Sequence, residues 1–108
     1  MTSVTIILDE NLPRGLRRIL APRPVATAQQ AGYAGMENGQ LLAALEGVYD
    51  ILITADKNLR YQQNLTGRQL AIIELPTNRW PLLRPLQARI VEAVDSCKPS
   101  NYVVINAA

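Results

Sequence analysis

Two carboxylates stand where this chain could do chemistry. Asp9 directly follows the apolar run Val4-Thr5-Ile6-Ile7-Leu8, and Asp56 follows Ile51-Leu52-Ile53-Thr54 after a single alanine. Runs of this length and composition read as short strands covered on both faces. An acid behind such a strand lies at the carboxyl edge of a parallel sheet, where ligands and reacting groups collect. Glu10 adjoins the first acid, and Glu37-Asn38 opens a further helix. Carboxylate and amide oxygens at one edge suit a hard divalent cation. Two ions held by such acids can activate a water and neutralise a phosphodiester during its cleavage. Each acid also has a plainer role: Asp9, Glu10 or Asp56 can cap the helix that follows, and Glu37 can sit exposed in a first turn favoured by the helix dipole. Carboxylates brought close repel, so a shared site calls for a cation or raised pKa values.

Composition removes many alternatives. There is no histidine and one cysteine, Cys97. Ser-His and Cys-His catalysis, imidazole zinc sites, Cys-rich zinc sites and an intrachain disulfide are therefore excluded. At 108 residues and 48% apolar content, a single domain spanning residues 1–108 is expected. No apolar run reaches the roughly 18–20 residues that cross a bilayer. Asp9 and Glu10 cut the first apolar run short, unlike a signal peptide, so a cytoplasmic protein without membrane contact is the expectation. A net charge of +2 does not by itself imply nucleic acid.

Cations do gather near the acids. Arg14, Arg17 and Arg18 share a helix face after Asp9, and Lys57 and Arg60 follow Asp56. These could contact phosphates, although an exposed basic face is the commoner meaning of such a triplet. Tyr61-Gln62-Gln63-Asn64 could stack on a base or hydrogen-bond to it, with Gln62 the foremost candidate. Glu74 ends another strand on the same edge and is a reserve ligand. Asp50 precedes its strand and belongs to the far edge, in a structural role. Trp80 reads as core or dimer face, and Cys97 as a small buried residue.

The elements that must position these groups alternate. Strands are expected over 4–8, 25–27, 50–54, 70–75 and 102–105. Helices are expected over 12–20 behind an Asn11 cap, over 39–46 behind an Asn38 cap, and over 80–96 behind an Asn78 cap. Residues 29–35, with Gly32 and Gly35, read as a turn or short helix, and 57–65 as helical or irregular. Alternation of this kind implies a three-layer α/β/α, Rossmann-like domain with a mostly parallel central sheet.

The order and spacing of Leu8-Asp9-Glu10-Asn11-Leu12-Pro13, Asn38-Gly39-Gln40-Leu41-Leu42 and Thr54-Ala55-Asp56-Lys57-Asn58-Leu59 resemble the compact bacterial PIN-like proteins, relatives of the VapC-type toxin nucleases. The resemblance runs from about residue 4 to residue 105. It implies a PIN-like α/β/α domain with a Mg²⁺ or Mn²⁺ site at the strand ends. It also implies metal-dependent cleavage of RNA, often as the toxin of a toxin–antitoxin pair whose cognate antitoxin is a partner protein, with a homodimer as a further option. Asp9 matches the first acid of that family and Asp56 the acid of its T-x-D motif. Asn38 stands where many relatives have an acid, with Glu37 beside it as a substitute, and Asn78 is a weak counterpart of the last acid. A PIN-like fold that cleaves weakly or not at all, and binds RNA or protein, is the alternative.

Overall fold

The apolar runs become one parallel sheet. The computed structural model describes residues 4–59 and 67–106. In chain order the elements are β1 (Ile6–Leu8), α1 (Gly15–Leu20), β2 (Val25–Thr27), α2 (Ala28–Ala31), α3 (Asn38–Leu45), β3 (Ile51–Thr54), β4 (Ala71–Glu74), α4 (Trp80–Leu83), a 3-10 turn (Arg84–Leu86), α5 (Gln87–Ser96) and β5 (Tyr102–Val104). The strands lie in the order β2-β1-β3-β4-β5, and every adjacent pair is parallel.

Alternate strand residues feed two separate layers, as the period of two in a strand requires. Ile6, Leu8, Ile51, Ile53, Ala71 and Ile73 face α1 and α5, meeting Leu16, Leu20, Ile90 and Val94. Ile7, Leu52 and Ile72 face the other way, onto Leu41, Leu42 and Leu45 of α3, with Leu59 and Leu70. The three central strands are buried on both faces, which explains their near-continuous Ile and Leu. The result is the expected α/β/α arrangement, with the sheet wholly parallel.

The strand order turns beside β1. After β1 the chain moves outward to β2, then returns to place β3 on the opposite side of β1. The connection leaving β1 enters the α1 layer, while Leu59, just after β3, packs into the α3 layer. Connections parting toward opposite faces leave a crevice at the carboxyl ends of the two strands. Asp9 and Asp56 border that crevice.

Three helix starts differ from the expected ones. Asn11 has φ 71° and does not cap α1; the helix begins only at Gly15, after a turn in which the Pro13 carbonyl accepts from the Leu16 N–H at 3.2 Å. A cap needs extended backbone, and asparagine is among the residues that tolerate the left-handed region occupied here. Asn38 is the first residue of α3 and not its cap; extended Glu37 holds the cap position without a side-chain bond. The last helix is broken into α4, the 3-10 turn and α5, and its cap is Arg79 in place of Asn78. Pro85 lies at the break, where it lacks an N–H and crowds the preceding turn. No described helix is long and apolar enough to cross a membrane.

Candidate carboxylate site at the sheet edge

The crevice between β1 and β3 is a cleft of about 280 Å³, bordered by Asp9, Glu10, Asn11, Leu12, Met36, Asn38, Ala55, Asp56 and Asn78. Residues from four parts of the chain therefore meet here. Asp9 is fixed by its backbone, whose N–H donates to the Ile53 carbonyl at 2.9 Å and so extends the sheet ladder by one residue. Asp56 is fixed by a tight turn: its own N–H donates to Thr54 Oγ1 at 3.1 Å, and its Oδ1 accepts from the Asn58 N–H at 3.0 Å.

Thr54 joins the two acids. It is fully buried at the end of β3, and its hydroxyl donates to Asp9 Oδ2 at 2.8 Å while accepting from the Asp56 N–H. A hydroxyl can donate one bond and still accept, which suits it to this bridging place. Asp9 Oδ1 accepts from the Glu10 N–H at 2.9 Å. Asp56 Oδ2 accepts from Asn38 Nδ2 at 2.9 Å. Among the described residues each carboxylate oxygen thus accepts one hydrogen bond.

The electrostatics follow from burial. Desolvation raises the Asp9 carboxyl above the ordinary aspartate value of 3.8, against the hydrogen bonds from Thr54 and the Glu10 N–H. The charges of Glu10 and Asp56 push it the same way as burial does. The repulsion expected between clustered acids is therefore present, and a cation in the cleft would relieve it.

The other candidate residues are spread around this centre. Glu10 borders the cleft, but its Oε1 accepts from the Gly35 N–H at 3.3 Å, tying down the glycine-containing turn before α3. Gly35 has φ 82°, a backbone that glycine adopts without strain. Glu37 is exposed and is not among the residues bordering the cleft, although Met36 and Asn38 on either side of it are. Arg14, Arg17 and Lys57 are exposed, and Arg17 reaches Gln30 Oε1 at 3.4 Å. Arg60 and Gln62 lie outside the described residues. Glu74 is buried and bound by the Tyr102 hydroxyl at 2.7 Å, away from the cleft lining. Asp50 does sit at the far edge, where Oδ2 accepts from the N–H and the hydroxyl of Thr5 at 2.9 and 3.0 Å.

The donor set fits Mg²⁺ or Mn²⁺. Hard oxygen ligands are present, and Mg²⁺ is commonly held through one or two carboxylates with waters completing its shell. Asp9 and Asp56 would supply those carboxylates, with Thr54 and the backbone N–H groups orienting them from behind. Among the described residues no group of three or more acids, cysteines or histidines is placed to hold a metal ion together. Sequence reasoning met Thr54 only as the first residue of the T-x-D motif, with no role assigned to its hydroxyl, and passed over Met36, which had no signal beyond its position in a polar turn. No family model, curated protein or solved structure matches this chain.

Proposed function

We propose that this chain is a divalent-metal-dependent ribonuclease and the toxin of a toxin–antitoxin pair, acting in the cytoplasm with RNA as substrate and a cognate antitoxin as partner. One observation carries the reading: Asp9 and Asp56, 47 positions apart in sequence, share one cleft at the turning point of the sheet and are bridged by a single buried hydroxyl. A bound Mg²⁺ or Mn²⁺ supplies charge neutralisation at the phosphate and a more acidic water. Asp9 and Asp56 hold their oxygens toward the cleft. Thr54 ties the Asp9 carboxylate to the Asp56 backbone, and Asn38 restrains the Asp56 carboxylate. Asp9, desolvated and near Glu10 and Asp56, is the group that gains most from a cation beside it. Lys57, Arg14 and Arg17 bring positive charge to the surface around the acids, suited to an RNA backbone.

The Asn38–Asp56 hydrogen bond favours a second reading. A neutral amide occupies a place where an acid would add a third carboxylate, so a domain that binds RNA or protein and cleaves weakly is also consistent with this cleft. Calorimetric titration of Mn²⁺ separates the two readings. The nuclease reading expects binding that is lost in both Asp9→Asn and Asp56→Asn, together with RNA cleavage that disappears in the same variants. A wild-type protein that takes up no Mn²⁺, even with RNA present, would leave only the binding module.

A further inference from the structure

The apposition of α1 and α4 has a consequence for what the cleft can hold. Gly15 opens α1 and Trp80 opens α4, and the two are pressed together: a Cβ on Gly15 would lie 2.6 Å from Trp80 ring carbons. The residues just before them are Arg14 and Arg79, so each arginine adjoins one side of this contact between the Gly15 backbone and the Trp80 ring. Leu12 and Asn78, close before those arginines in sequence, border the acidic cleft. Both guanidinium groups are exposed, and neither has a hydrogen-bond or ion-pair partner among the described residues. Their backbones are fixed. Pro13 restricts the approach to Arg14, while the Arg79 N–H donates to Thr77 Oγ1 at 3.2 Å. Local helix stability does not explain them, because a cation at a helix start opposes the dipole and neither first turn contains an acid.

We propose that Arg79 and Arg14 form a two-arginine clamp on the rim of the cleft that grips a backbone phosphate beside the Asp9–Asp56 cleft. Guanidinium forks match phosphate oxygens two at a time, and because the fork is planar less freedom is lost for each hydrogen bond formed. The identity of the polyanion, single-stranded RNA, rests on the nuclease reading of the cleft; the clamp itself rests on the α1–α4 contact. Arg79 is thus a binding residue, distant in sequence from every acid of the site.

The test measures binding of a fluorescein-labelled single-stranded RNA of twelve nucleotides to the full chain in EDTA, so that cleavage does not intervene. Arg79→Ala and Arg14→Ala should each weaken binding about tenfold. Each should also flatten the dependence of log affinity on log salt by about 0.7, the value for one phosphate contact on a single strand. Arg79→Lys should recover part of the affinity and the full salt slope, since charge is kept and the fork is lost. Lys98→Ala, at the opposite edge of the sheet, should change neither. Unchanged affinity and slope in both alanine variants would overturn the clamp, as would an equal loss in Lys98→Ala or no RNA binding by the wild type. Polyglutamate that displaces the RNA as well as unlabelled RNA does would also overturn it, because the rim would then be collecting charge alone. Arginine-dependent binding without cleavage in Mn²⁺ would keep the clamp and remove the nuclease. Cleavage lost in Asp9→Asn, with affinity indifferent to both arginines, would do the reverse.

Discussion

Asp9 is the residue whose surroundings make the clearest demand. Its carboxyl is pushed up by burial first, and by Glu10 and Asp56 as well. For an acid raised in the folded state, ionisation costs stability. That cost is fully present above the folded pKa, shrinks as pH falls through it, and is gone below the unfolded value near 3.8. Asn at this position keeps an oxygen to accept from Thr54, gives up the bond from the Glu10 N–H and removes the charge, the last being the larger change for a desolvated group. Asp9→Asn should therefore raise the melting temperature in EDTA at pH 7, with the difference vanishing by about pH 4. Mn²⁺ should reverse the order at pH 7, because saturation at a hundredfold excess over Kd adds about 2.7 kcal/mol to the wild type alone. Melting curves under these conditions decide the matter, and a variant less stable than wild type in EDTA sinks the account. The acids themselves were legible in the sequence, since each follows an apolar run that could hardly be other than a strand. Their linkage was not. Thr54 hydrogen-bonds to a residue 45 positions away, and Asn38 to one 18 away. An amide at a helix start looks the same in sequence whether it caps the helix or reaches across a cleft.

Between elements, Gly15 of α1 and the Trp80 ring of α4 meet closely near the site. Gly15 has an ordinary helical place and no positive φ, so its value lies in the missing side chain, which lets the Trp80 ring approach. Gly15→Ala adds a methyl where the ring carbons already stand at 2.6 Å. Overpacking of this kind costs about 1–3 kcal/mol. The better helix propensity of alanine offsets at most about 1 kcal/mol of it. A net loss of stability is expected in urea titration, accompanied by a changed Trp80 emission. Pairing the change with Trp80→Leu should recover most of the loss, since the two effects share one contact. If Gly15→Ala proves neutral or stabilising, the two helices are not held in the way described. Element existence was readable here and element edges were not. The helical spacing of Leu83, Leu86, Ile90, Val91 and Val94 is readable in the sequence, and all but Val91, which is partly buried, lie in the core. The break at Pro85 and the delayed start of α1 depend on backbone choices that the apolar pattern does not encode.

At the scale of the whole molecule, the two apolar layers share one sheet and the cleft draws on both. Asp9 leads into α1 in one layer; Asn38 opens α3 in the other. Adjacent residues of β1, β3 and β4 point into opposite layers, so neither layer can open without disturbing the strands that support the other. One cooperative unfolding transition follows from that arrangement. Among the described residues Trp80 packs against the first layer and reports on it by fluorescence, whereas far-ultraviolet dichroism reports on the helices of both. Leu16→Ala empties a fully buried position in the first layer and Leu42→Ala one in the second. Each should cost about 2–5 kcal/mol. Each should also move the fluorescence and dichroism midpoints together, although Leu42 lies across the sheet from Trp80. Mn²⁺ should then shift both probes by equal amounts, because a ligand spanning elements of both layers stabilises the one folded unit they form. Separated transitions in Leu42→Ala, with the Trp80 signal unmoved, would mean that the α3 layer melts on its own. In that case Asn38 could release Asp56 while Asp9 stayed in place, and the cleft would be assembled by binding its ligand instead of standing ready for it.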